Sequence, residues 1–161
     1  MVLCPWPQNQ TLHFDNYHPL GMWFKCKITK DTHTFCNAMQ LFVYEKSMFH
    51  KNENAINVIL SSVMVKDIVK CSENIKCNAE WYMVRDGIMK EILDLKVHQV
   101  QQVNQVLHNK TSNAFVCCDK YDKYWSCGLD SKMTQITPSK YFPGNNKLGQ
   151  LWQEVTNELR K

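Results

Sequence analysis

Two aspartates, Asp119 and Asp122, share one short stretch with Tyr124 and Trp125, directly after the apolar run Phe115-Val116-Cys117-Cys118. Short, apolar and bounded by charge, that run predicts a buried strand whose end delivers both carboxylates into a cleft. A carboxylate placed there can take, give or electrostatically stabilise charge, and the neighbouring rings offer flat apolar faces. Farther on, Gly144 and the Asn145-Asn146 pair make a turn, and Leu148, Leu151, Trp152, Val155 and Leu159 recur at helical spacing. The stretch reads as strand, polar loop and helix, and backbone N–H groups at the helix start favour an anion.

At these residues the chain resembles the NADAR domain family (NAD- and ADP-ribose-associated), which includes YbiA-like N-glycosidases and glycohydrolases that remove ADP-ribose from guanine. The family pattern is Val-Glu, then Asp-x-x-Trp-Gly-x-Gly, a variable loop, Gly-x-Asn-x-Leu-Gly, and a helix carrying a Glu. This chain supplies Val116, then Asp122, Trp125 and Gly128, then Gly144, Asn146, Leu148 and Gly149, then Glu154. In an earlier family motif a Lys follows a Glu by seven positions; Lys46 holds the Lys place and Met39 the Glu place. Trp81 and Lys96 match a Trp and a Lys of the family's long helix.

The resemblance implies an α+β fold, a mostly helical single domain packed around a small β-sheet. It would run over 12–161 behind a loose N-terminal arm at 1–11. It implies ADP-ribose or a related nucleotide as ligand, ADP-ribosylated nucleic acid as a further partner, and no cofactor. Trp125, Tyr124 and Trp81 would stack on a base or wall the ribose. Asn146 and the N–H groups of its turn would hold phosphate, Lys46 would pair with it, and Lys147 would add positive potential. Gly128 and Gly149 complete the matched ligand-binding set. Trp81, at the head of an apolar stripe, also suits a core position.

Departures from the pattern bear on chemistry. The Glu after the strand Val is Cys117, the Gly after the Trp is Ser126, and a Gly-Arg pair is Val69-Lys70. Met39 has no proton to exchange near neutral pH. Cleaving a ribosyl N-glycosidic bond develops positive charge on the sugar and negative charge on the base, which calls for a carboxylate by the anomeric carbon. Asp122 is the best carboxylate left. Asp119, two positions beyond Cys117, would share its face on an extended strand and shift a carboxylate by one pleat. Glu45 is six residues from Met39, about a third of a turn away on a helix, and substitutes poorly. Cys117 has no histidine placed to activate it as a nucleophile. The expectation is a degenerate domain that binds ADP-ribose or a related ribosyl phosphate with hydrolysis weakened or lost. The alternatives are an active N-glycosidase using Asp122 with Asp119, and a scaffold or host-interaction protein on the inherited fold.

The elements that must position these residues follow from patterning. A chain of 161 residues that is 44% hydrophobic can fill the core of one domain. The formal charge of +4 contains no basic run dense enough to indicate duplex binding by itself, and 17 of the 19 basic residues are Lys, which meets phosphate as a point charge. The eight cysteines come without a secretory leader, so the thiols are expected to be reduced and the protein intracellular, cytoplasmic or nuclear. With no C-x-x-C pair and no partner spacing for His98 or His108, no metal site is expected. No apolar run approaches a membrane span.

Along the chain, strand-like Leu12-His13-Phe14 precedes a hairpin of Trp23 to Thr29 with His33 to Phe35, turning at Lys30-Asp31-Thr32. Asn37 is a candidate N-cap for a helix buried on most sides. Helical spacing continues over Glu53 to Val63, Val65 to Cys71, and Asn78 to Asn109 with a bend near Val97 or His98. Lys96 is expected to be a solvated cation in a last turn. Asp130 to Phe142 is polar and reads as a mobile lid carrying Lys132 and Lys140.

Overall fold

The computed structural model describes residues 11–108, 112 and 114–161. The arm expected over 1–11 therefore lies outside the described residues except for Thr11. The elements in chain order are β1 (Thr11–Phe14), β2 (Ile28–Lys30), β3 (His33–Phe35), α1 (Ala38–Phe49), α2 (Glu53–Leu60), α3 (Val65–Glu73), α4 (Ala79–Gln99), α5 (Gln101–Leu107), β4 (Ala114–Cys117), α6 (Ser131–Ile136) and α7 (Lys147–Leu159), with a 3-10 turn at Ser139–Tyr141 before α7. The fold is α+β and mostly helical, with two small two-stranded sheets. The chain divides into two compact units, one of 1–21 with 102–161 and one of 22–101.

In the first unit β1 and β4 pair in parallel, Phe14 opposite Cys117. The ladder gains one rung beyond β4, from Cys118 N–H to Phe14 O at 2.8 Å. Thus the strand read over Phe115–Cys118 forms, and Asp119 falls just past its end. The apolar stripe of α7 buries Leu148, Leu151, Trp152 and Val155. Burying such large side chains contributes about 2–3 kcal/mol each, and the Trp152 indole Nε1–H avoids a desolvation cost by donating to Leu20 O at 2.8 Å. The segment read as a lid contains α6, which Asp130 Oδ1 caps by accepting from Met133 N–H at 2.8 Å. The hydroxyl of buried Thr134 donates to Asp130 O at 2.7 Å.

In the second unit β2 and β3 form the expected hairpin, with Asp31 and Thr32 both at positive φ in its two-residue turn. It is shorter than the sequence suggested: beyond Ile28 only Cys26 N–H continues toward the partner strand, bonding Cys36 O at 3.0 Å. Asn37 caps α1 through Gln40 N–H at 2.8 Å. Gln40 then uses both ends of its buried amide, accepting from Cys36 N–H and donating to Ile59 O and Ser62 O, so the region between α1 and α2 satisfies its backbone without water. Asn78 caps α4, and the long helical pattern breaks at Val100, whose extended backbone (φ −117°, ψ 106°) separates α4 from α5. Among the described residues no helix is long and apolar enough to cross a membrane.

Candidate functional site

Residues 117–129 and 143–149 form one hydrogen-bonded construction in the first unit. Five consecutive backbone N–H groups, from Gly144 to Leu148, donate to the carbonyls of Cys127, Lys123, Ser126, Tyr124 and Trp125 in turn, at 2.8–3.0 Å. The first turn of α7 thus gives loop carbonyls the donors that have no acceptor within a helix start. The anion expected at those N–H groups meets a different arrangement, since the loop carbonyls already occupy the donors of Lys147 and Leu148.

Asn146 holds the corner in a left-handed conformation, φ 50°. Its Oδ1 accepts from Cys117 N–H at 2.9 Å and its Nδ2 donates to Phe115 O at 2.9 Å. The side-chain amide therefore pairs with β4 as another strand would, satisfying an edge that would otherwise face no partner. Gly149 allows this closeness: a Cβ there would collide with Phe115 O and with the Asn146 side chain. Gly128 sits at φ +81°, a conformation that favours glycine. Asn146, Gly128 and Gly149, matched as ligand-binding positions, are engaged in closing the loop onto the strand.

Both candidate carboxylates are half-buried and both brace the loop. Asp122 Oδ1 accepts from Tyr124 N–H and Trp125 N–H, each at 2.9 Å. Asp119 Oδ1 accepts from Tyr121 N–H at 2.8 Å, and its Oδ2 accepts from Asn16 Nδ2 at 2.8 Å. The bonds to Tyr121 and Tyr124 N–H are Asx turns, in which a short side chain substitutes for a backbone acceptor. Asp122 Oδ2 has no hydrogen bond among the described residues. Ser126, where the family pattern has Gly, is buried and its hydroxyl donates to Cys117 O and Asp119 O. Tyr124 and Trp125 are half-buried and meet edge to face, ring centroids 4.8 Å apart. Lys147 is half-buried at the first position of α7.

Cys117 is 1% exposed. Burial, reinforced by the negative charge of Asp122, pushes its thiol far above the ordinary cysteine range. It is a protonated, inert group near neutral pH, in accord with the absence of an activating histidine.

The other matched residues lie in the second unit. Trp81 is 2% exposed and packs among Phe42, Phe49 and His50, with centroids 5.4–5.7 Å away. Of the two readings open for it, core packing describes this structure, and no ring face is available for stacking. Lys46 Nζ donates to Ser72 O and Oγ, both at 3.0 Å, which ties α1 to α3. Met39 is half-buried. Glu45 accepts from Lys30 Nζ at 2.7 Å, so it is engaged elsewhere than at the Met39 position.

Lys96 corrects the sequence reading. Instead of a solvated cation it is fully buried, 0% exposed, in the last turns of α4. Burial pushes its ammonium down to about 8, with the Cys26 thiol opposing that shift. The position was missed because last-turn lysines usually complement the helix dipole from the surface. The signal that could have found it is the spacing Met89-Ile92-Leu93-Lys96-Val97, all buried on one face of α4. A buried amine of lowered pKa is chemically equipped to act as a base or nucleophile.

Among the described residues no group of three or more His, Cys, Asp or Glu side chains could hold a metal ion. The NADAR domain family model matches residues 6–160, running through both units. The solution NMR structure of the E. coli protein YbiA superposes with a TM-score of 0.74 at 18% identity, covering 96% of this chain and 88% of that one. This likeness shows a shared fold. No curated protein sequence gives a match. With the family model spanning all but the ends of the chain, and the strand, loop, turn and helix of its motif in place, the chain belongs to the NADAR domain family.

Proposed function

We propose that this chain is a degenerate NADAR domain that binds ADP-ribose or a related ribosyl phosphate, with hydrolysis weakened or lost. The ligand lies against the loop between β4 and α7. Tyr124 and Trp125 offer ring faces to a base or ribose, and Lys147 supplies positive charge for a phosphate.

The observation that carries this reading is Cys117. Where the family pattern has a glutamate at the end of β4, the chain has a buried thiol that burial keeps protonated. A neutral thiol stabilises no oxocarbenium charge and activates no water. Asp119 compensates poorly, because both of its oxygens are already engaged, Oδ1 by Tyr121 N–H in the loop and Oδ2 by Asn16 Nδ2 beyond the end of β1. One observation favours the alternative of an active N-glycosidase: Asp122 braces the loop through Oδ1 alone, so Oδ2 is open for chemistry.

Native mass spectrometry with free ADP-ribose, and separately with an oligonucleotide carrying ADP-ribosylated guanine, tests both. The expected result is intact ligand retained on the protein, with affinity reduced at least about tenfold by Trp125→Ala as stacking is lost. Release of ADP-ribose from the oligonucleotide, abolished by Asp122→Asn, would overturn the binder and establish the glycosidase. Neither adduct nor product would move the weight to the scaffold reading.

A further inference from the structure

Three Lys-Tyr dipeptides occur in the second half of the chain: Lys120-Tyr121, Lys123-Tyr124 and Lys140-Tyr141. The middle pair belongs to the loop construction already described; the packing of the motif does not explain the other two. Tyr121 is 84% exposed and Tyr141 is 65% exposed, far more than a tyrosine whose ring serves a core. In both cases the preceding lysine lies over its own tyrosine ring, Lys120 Nζ at 5.0 Å and Lys140 Nζ at 5.1 Å from the centroid. Each pair is therefore a ring with one face open and an ammonium beside it.

The fold brings the pairs toward one place in the first unit. Tyr121 lies two residues before Lys123, and Tyr141 two residues before Pro143. Lys123 and Pro143 converge on Gly128, where a Cβ would come within 2.9 Å of Pro143 Cγ and 3.3 Å of Lys123 Cγ. Asn145 N–H closes the same junction by bonding Lys123 O at 2.9 Å. The charge of this segment leans positive: residues 119–147 contain the lysines 120, 123, 132, 140 and 147 against the aspartates 119, 122 and 130. Each aspartate spends an oxygen on a nearby backbone N–H group, Asp119 and Asp122 in the loop and Asp130 as the cap of α6.

We infer that this surface binds single-stranded nucleic acid, unmodified, by stacking bases on Tyr121 and Tyr141 while the paired lysines meet the adjacent phosphates. Exposed rings alternating with cations are what a single strand needs, since its bases are unstacked and its backbone carries a charge at every step. A duplex keeps its bases inside and gains nothing from the rings. The lysines act as mobile point charges, so the binding is salt-sensitive and tolerant of sequence. This goes beyond the nucleotide-binding reading and does not require it: Tyr121, Tyr141, Lys120 and Lys140 have no part in holding ADP-ribose.

Fluorescence anisotropy of the full chain with a labelled 15-residue oligo(dT) tests the inference. Its controls are the matched duplex and a strand of the same length and charge made of abasic sugar phosphates. Binding of oligo(dT) is expected to weaken on raising salt, to exceed that of the duplex and the abasic strand by at least about tenfold, and to fall by a similar factor in Tyr121→Ala/Tyr141→Ala. Tyr121→Phe/Tyr141→Phe, which keeps the rings, is expected to bind like the wild type. The exposed positions allow these changes without unfolding, which circular dichroism of each variant verifies. Equal binding of oligo(dT) and the abasic strand, an unaffected alanine double variant, or no binding of oligo(dT) would each overturn the inference. Calorimetry of the alanine variant with ADP-ribose separates the two sites, since failure of the strand surface leaves that affinity unchanged.

Discussion

The β4 to α7 construction and the helix α4 treat their polar groups in opposite ways. In the first, Asp119, Asp122, Ser126 and Asn146 spend their side chains on backbone groups, and the N–H groups that start α7 are paired with loop carbonyls. In the second, one cation, Lys96, is taken out of water entirely and its charged form is disfavoured. Family motif residues occur in both places, yet they encode different things. The loop residues encode a chain path. Lys96 encodes a perturbed titration, which is the kind of group that functional sites collect.

The largest effect is expected where the loop is pinned. Asn146→Ala strands Cys117 N–H and Phe115 O and places alanine at positive φ, a loss of roughly 4 kcal/mol from two buried bonds. Chemical denaturation measures it, and a loss below about 1 kcal/mol would show that the corner is held by something other than the Asn146 amide.

On the other side of the comparison stands the linkage of Lys96 to pH. Its folded-state pKa of about 8 lies below the ordinary 10.5, so between those values the unfolded chain binds more protons and stability rises with pH. The penalty of burying the ammonium is fully present below pH 8 and fades toward pH 10.5. Lys96→Met has no such penalty. Its stability relative to wild type should therefore fall by roughly 2–3 kcal/mol from pH 7 to pH 10, a difference in which the other titrating groups common to both proteins cancel. A constant difference across that range would mean that Lys96 reaches water.

The smallest effect sharpens the loop side. Asp122→Asn retains Oδ1 as acceptor for Tyr124 and Trp125 N–H, so denaturation should register about 1 kcal/mol, the difference between a charged and a neutral acceptor. A loss of several kcal/mol would instead make the negative charge, rather than the acceptor geometry, the element that holds the loop.

Patterns of short range carried most of the secondary structure. Asn37 and Asn78 cap their helices because an amide next to an apolar-periodic run competes well for the first N–H groups. The strand at β4, the hairpin and the two-helix division of the long pattern that begins at Asn78 follow from period and turn residues in the same way. The helix within 130–142 was legible in one residue, since Asp130 is a cap for α6. At the candidate site the sequence supplied the members of the loop but not what each would touch.

By itself, then, the order Asp122, Trp125, Gly128, Gly144, Asn146, Gly149 determined the family and the path of strand, loop and helix, because caps, turns and left-handed positions are local demands on residue type. Tertiary structure decided the rest. That Asn146 serves β4 as a missing strand, that Trp81 is walled in by Phe42, Phe49 and His50, and that Lys96 is withdrawn from water are long-range outcomes. Burial and partner choice depend on which distant segments pack together, and a side chain's chemistry follows its surroundings more closely than its name.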